Sequence, residues 1–262
     1  MRSHRTTFTI ALTGISRACL VRDWLLGRLP AVHEDERDGL SRHQIASGRN
    51  TLDAVFVRPT RQPPRATLLI CHGIAETVRH WVPVQRLLAE HGAASLVFDY
   101  SGYGRSTGHI EAAQCEQDAI AAYQRLRELM GMDSAAVLGF SLGSGIAAAV
   151  TSRIHPARLV LCAGFTSFRA AAHSIGIPAT LGPFVPPLWR VEEALQGCSL
   201  PILVVHGERD RLFPVRMGSE LAACCGAEER IVPEISHTEP YIRPRKEYWD
   251  PIVDWIEGGS AA

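Results

Sequence analysis

Short, nearly unbroken apolar runs recur along the chain at residues 66–71 (ATLLIC), 94–98, 135–140, 157–163 (ARLVLCA) and 201–206 (PILVVH). Such runs read as strands buried on both faces. Longer stretches between and after them carry apolar residues at helical spacing. They span 81–91, ended by Gly92, 112–130, ended by Gly131, 142–154, 215–225 and 244–257. Upstream, residues 42–46 and 52–57 suit two strands joined by a turn at Gly48-Arg49-Asn50, and a short strand is expected at 229–232. Strands alternating with helices predict an α/β protein. Its central sheet is mostly parallel, has about eight strands and is covered by helices on both faces.

Two regions break the pattern. Residues 166–197 are rich in Pro and Gly and read as a short irregular insertion over the sheet. Residues 1–41 precede the first strand, and Leu20, Val21, Trp24, Leu25 and Leu29 fit an amphipathic helix there. The expected organisation is an N-terminal helical extension over 1–41 and one domain over 42–262. The opening MRSHR is positive, but Arg17 and Arg22 interrupt the apolar run behind it, unlike a signal peptide. A cytoplasmic location is expected, with export or membrane-surface association as the alternative. Residues 134–152 and 170–189 are uncharged and long enough for a membrane span, but glycines split the first. Pro178, Pro183, Pro186 and Pro187 interrupt the second, so no integral span is expected.

Composition narrows the partners. Of 262 residues, 46% are apolar, enough for a sizeable core. The 27 basic and 27 acidic residues balance, leaving no field to attract nucleic acid or an anionic membrane. The 7 cysteines are scattered, without the spacing of a zinc site. Neither a metal nor a cofactor is called for. Cys71 and Cys162 sit in strand-like runs as small hydrophobes, which suits a reducing compartment.

The segment VLGFSLGSG, residues 137–145, carries the candidate chemistry. Ser141 stands where a buried strand turns into a helix, flanked by Gly139 and Gly143. This G-x-S-x-G pattern is a nucleophile elbow: the turn is too tight for side chains two residues either side, and the serine hydroxyl projects from it. A serine hydroxyl needs a base, and the base needs an orienting acid. Asp210 follows the strand-like run 201–206, and His237 lies in the loop before the last helix. Glu208 is a substitute acid, and His206 reads as structural. The turn at His72-Gly73-Ile74 allows the Ile74 amide to join the Leu142 amide as an oxyanion hole, with His72 bracing the loop. The insertion is apolar, and Phe165, Phe184, Leu188 and Trp189 are candidates for the substrate pocket.

With His72-Gly73, Gly139 to Gly143, Asp210 and His237 in this order, the chain resembles an α/β-hydrolase from about residue 42 to 257. The stretch from Phe98 to Ser106 (FDYSGYGRS) resembles the Asp-x-x-Gly-x-Gly-x-Ser loop after the fourth strand of that superfamily. The wording of these loops is similar to esterase, lysophospholipase-like and depalmitoylase-type members. The resemblance implies a serine hydrolase that cleaves a small-molecule carboxylic ester or thioester through an acyl-enzyme on Ser141. The alternatives are an acyltransferase or peptidase using the same triad, and a non-catalytic binding protein on a hydrolase fold.

Overall fold

The structure, a computed structural model, describes residues 39–258. Strands β1 (Leu40–Ser47) and β2 (Asn50–Val57) pair antiparallel, with Ser47 opposite Asn50. The turn between them is therefore only Gly48 and Arg49, and Gly48 takes φ 59°. Strand β2 runs antiparallel to β4 (Ala93–Phe98). The remaining strands, β3 (Ala66–Cys71), β5 (Ala136–Phe140), β6 (Leu159–Cys162), β7 (Ile202–Gly207) and β8 (Glu228–Val232), are parallel to β4. The order across the 8-stranded sheet is β1-β2-β4-β3-β5-β6-β7-β8.

The apolar runs are continuous because the sheet has a core on each face. Successive side chains point to opposite sides of a strand. Leu69, Val137, Leu161 and Val204 enter one core, and Leu68, Ile70, Leu138, Val160 and Val205 enter the other. Trp81 of helix α1 (Val78–Glu90) caps the second core. Tyr123 of α2 (Ala112–Met130) and Ile146 of α3 (Leu142–Ile154) fill the first. The insertion between β6 and β7 contains α4 (Phe168–Ser174), a 3₁₀ turn at Ala179–Phe184 and α5 (Val191–Ala194). Helix α6 (Val215–Cys225) joins the first core through Met217 and Leu221. After the short α7 (Glu239–Ile242), α8 (Lys246–Glu257) joins the second through Trp249 and Val253.

Local differences from the sequence reading have tertiary causes. Helix α1 begins at Val78 instead of residue 81 because the Asp99 carboxyl, at the end of β4, accepts the Val78 N–H at 2.8 Å. Thr77 N–H is satisfied by His80 Nδ1 at 3.0 Å. The insertion, expected to be irregular, gains helix α4 where the Ser167 hydroxyl accepts the Ala170 N–H. The prolines that follow keep its other helical pieces short. Strand β1 takes in residues 40 and 41, which were expected in the N-terminal extension. The amphipathic helix expected further upstream lies outside the described residues. Among the described residues no helix is long and apolar enough to cross a membrane.

A buried carboxyl ties these elements together. Asp118 of α2 is fully buried, and its Oδ1 accepts from Ser47 Oγ at 2.6 Å, Gln114 Nε2 at 2.8 Å and Ser101 Oγ at 3.1 Å. Its Oδ2 accepts from the Ser101 amide at 2.7 Å. The end of β1, helix α2 and the loop after β4 meet there. Asp118→Ala leaves buried donors without acceptors, so a loss of about 2–4 kcal/mol in urea unfolding is expected. A loss below about 1 kcal/mol would show that the loop finds other partners.

Candidate active site

Parallel strands put the ends of β3, β5, β7 and β8 on one edge of the sheet, and Ile74, Ser141, Asp210 and His237 follow them in turn. Ser141 separates β5 from α3 and holds φ 52° and ψ −118°. A non-glycine residue at such a φ is strained, on the order of 1–3 kcal/mol, and packing must hold it. Here the Ser141 amide donates to Cys162 O at 2.9 Å, and the Ser141 carbonyl accepts from Ser144 Oγ at 2.6 Å. The glycines of the elbow are required by close approach. A Cβ on Gly143 would overlap the Cys71 carbonyl oxygen at the end of β3, and one on Gly139 would stand 2.6 Å from Ser144 Cα.

His237 reaches both partners. Its Nδ1–H donates to Asp210 Oδ2 at 2.7 Å, and its Nε2 lies 3.0 Å from Ser141 Oγ, placed to accept the hydroxyl proton. Two backbone clamps join the carrying loops: Glu208 N to Val232 O at 3.0 Å and Arg209 N to Ile235 O at 2.9 Å. Asp210 is buried, and its Oδ1 accepts the Leu212 and Phe213 amides, each at 2.9 Å. Burial alone would raise its carboxyl. Hydrogen bonding to His206 and His237, the His237 charge and the Phe213 amide reverse that and hold it below the ordinary carboxylate range. Glu208 instead accepts the Glu234 amide and makes no bond to His237.

His206 is fully buried under α6, where Gly218 leaves room for its ring, and its Nε2–H donates to Phe213 O at 2.8 Å. It thus holds the Asp210 loop closed, the structural place the sequence reading gave it. Cys71 and Cys162 are buried thiols pushed up to about 12 by burial, so neither offers a thiolate nucleophile.

The turn after β3 is braced from both sides. His72 Nδ1–H donates to the Gly73 carbonyl at 2.8 Å, and the Gly73 amide donates to Glu76 Oε2 at 2.8 Å. A trans peptide points its C=O and N–H in opposite directions, so the Ile74 N–H faces away from the His72 ring. Burial pushes His72 down to about 3 and keeps it neutral. Leu142 opens α3, and its amide is one of the orphan donors of a helix start.

The candidate pocket residues do not gather at one spot. Phe165 and Trp189 pack together where a Cβ on Gly145 would touch both, and Leu188 packs beside them on the core. Phe184 stands away, 70% exposed on the 3₁₀ turn. The ring nearest His237 is Phe213, whose centroid lies 5.1 Å from that of the imidazole. The sequence reading missed it because nothing in RDRLFP shows that the chain folds back over Asp210. Among the described residues no group of three or more His, Cys, Asp or Glu side chains is placed to hold a metal ion.

Residues 66–176 match the family model described as the alpha/beta hydrolase fold. The chain has the α/β-hydrolase fold. Lysophosphatidylserine lipase ABHD12 of Danio rerio is 27% identical over 189 residues, 64% of this chain and 50% of that protein. Protein bem46 of Schizosaccharomyces pombe is 26% identical over 221 residues, 79% of this chain and 72% of that one. An uncharacterized protein of Mycobacterium tuberculosis is 29% identical over 67% of this chain and 64% of its own length. The chain thus spans half to under two thirds of the first curated relatives it matches. Among solved structures, an alpha-beta hydrolase from Vibrio vulnificus superposes with a TM-score of 0.75 at 20% identity, covering 95% of this chain and 92% of that one. A Pyrococcus furiosus esterase superposes at 0.68 with 19% identity, covering 89% and 97%. At these identities the two structures speak for the fold alone.

Gly143 gives a direct test of the elbow. Its neighbour is backbone, which cannot rotate away, so Gly143→Ala must push α3 off β3. A loss of about 3 kcal/mol or more in urea unfolding is expected, at the upper end of overpacking costs. An alanine variant with the wild-type midpoint would show that the helix and strand are not in contact there.

Proposed function

We propose that this α/β-hydrolase cleaves a carboxylic ester or thioester through an acyl-enzyme on Ser141. The observation that carries the reading is the hydrogen-bonded chain Asp210–His237–Ser141 on the carboxyl edge of the sheet. His237 Nε2 takes the hydroxyl proton as Ser141 Oγ attacks the acyl carbonyl. Asp210 holds the imidazole with Nδ1 protonated and stabilises the imidazolium that forms. The Ile74 and Leu142 amides receive the oxyanion, each contributing about 3 kcal/mol if they act like measured oxyanion donors. His237 then gives its proton to the leaving group, and water enters by the same route to release the acid. No step calls for a metal or cofactor. The lysophosphatidylserine lipase relatives and the esterase of the same fold support an ester substrate in general terms.

The acyl side is read as apolar and confined. Phe213 faces the His237 ring, while Phe165 and Trp189 already fill the space against α3. Uncharged acyl groups of short to medium length fit this better than long lipid chains. The lysophospholipid reading is kept as the competitor because of the ABHD12 relatives and the exposed Ile175, Leu181 and Phe184 on the insertion.

Two measurements test these claims. Ser141→Ala and His237→Gln should each lower kcat by ~10⁴-fold or more, and the alanine variant should no longer react with a fluorophosphonate. Retention of most activity by either variant would remove the mechanism. A p-nitrophenyl ester series from acetate to palmitate reads the pocket. Each methylene should improve kcat/KM by up to about 0.8 kcal/mol until the space is full, after which the rate should fall. A steady rise to palmitate would favour the lysophospholipid reading.

A further inference from the structure

Glu76 is a buried carboxyl that the proposed mechanism does not use. It is 4% exposed, in the turn between β3 and α1. Its Oε2 accepts two N–H donors, Gly73 at 2.8 Å and Trp81 Nε1 at 2.8 Å. Its Oε1 has no hydrogen-bond partner among the described residues. That free oxygen lies beside the candidate nucleophile. A Cβ built on Gly73 would stand 2.5 Å from Glu76 Oε1 and 3.2 Å from Ser141 Cβ, so the two atoms are no farther apart than those distances combined.

Resting on the reading of Ser141 as nucleophile, we propose that Glu76 is a positioning residue that also sets the charge of the site: turnover requires its carboxyl neutral, and ionisation silences the site. Two physical reasons lead there. Attack on an acyl carbonyl builds a negative charge on the substrate oxygen. A carboxylate this close opposes that charge directly. With Oε2 occupied by two donors, the proton of the neutral acid sits on Oε1, the oxygen toward Ser141. The neutral form therefore keeps the Gly73 turn braced and adds no opposing charge.

The surroundings hold the carboxyl neutral near pH 7. Burial raises it to about 8, against the opposing pull of the Gly73 and Trp81 hydrogen bonds. Among the described residues no cation contributes to this shift. On its own segment stand His72, kept neutral by burial, and His80 at the start of α1. From the end of β4 comes Asp99, itself raised to about 7 by burial. Past β5 stands Ser141. From the segment after β8 come Tyr241, stacked on Trp81 at 6.0 Å, and His237, reached through Phe140 at 5.6 Å. The sign follows from the raised acid: the active form is present below about pH 8 and is lost as pH rises through it.

The test is the pH dependence of kcat/KM for an activated ester, and of the fluorophosphonate labelling rate, with the full chain as wild type, Glu76→Gln and Glu76→Asp. Wild type should fall about tenfold between pH 7 and pH 9, as one ionisation near pH 8 requires. Glu76→Gln keeps an acceptor for both N–H groups but cannot ionise, so its profile should change less than about twofold over that range. Glu76→Asp should keep an alkaline fall with a displaced midpoint. An unaltered fall in Glu76→Gln overturns the proposal. Should that variant not fold, infrared spectra of wild type carrying ¹³C-carboxyl glutamate decide it. A protonated-glutamate band at pH 7, lost with the midpoint of the labelling rate, supports the proposal, and its absence overturns it. Ser141→Ala separates the two claims. Continued hydrolysis or labelling by that variant defeats the nucleophile reading. Loss there, with an unaltered fall in Glu76→Gln, defeats the Glu76 inference alone.

Discussion

The close approach of α3 to β3 at Gly143 is the contact on which the site depends. The helix can start directly above the sheet only because Gly143 brings no side chain against the Cys71 carbonyl. That approach forces Ser141 to φ 52°, turns its side chain out of the sheet edge and aims the first amides of α3 at the same place. Strain at one residue is thus tied to position. Two cores, with Leu69 and Val137 on one face and Ile70 and Leu138 on the other, hold the strands rigidly enough to maintain it.

Loops are usually more mobile than the elements they connect, and here hydrogen bonds restrain them. His206 locks the Asp210 loop through the Phe213 carbonyl, and the Glu208 and Arg209 amides bind it to the segment bearing His237. On the other side of Ser141, His72 and Glu76 hold the two ends of the Gly73 peptide units. Asp99 reaches from the end of β4 to the start of α1. Asp99 and Glu76 are buried acids raised by desolvation, so the bracing stores polar groups where water is scarce. The site's bracing and its electrostatics are consequently one question.

Sequence alone determined a good deal. The continuous apolar runs located the buried strands because a strand covered on both faces has no polar side to show. Gly139, Ser141 and Gly143 marked the elbow because its steric demand is local. That Asp210 and His237 come to lie beside Ser141 was legible from their order and their places after strand-like runs, since parallel strands deliver such loops to one edge. Tertiary structure decided the rest. The start of α1 depends on Asp99, twenty-one residues away in sequence, accepting the Val78 amide. Phe213, not Phe184, faces His237, because the Asp210 loop folds back on itself while the 3₁₀ turn carries Phe184 into solvent. Glu76 looked like any loop acid until its burial and its distance from Ser141 were known. Local sterics and burial period are written in neighbouring residues. A hydrogen bond, a ring contact or a shifted carboxyl depends on which distant segments pack together, and only the folded chain brings those together.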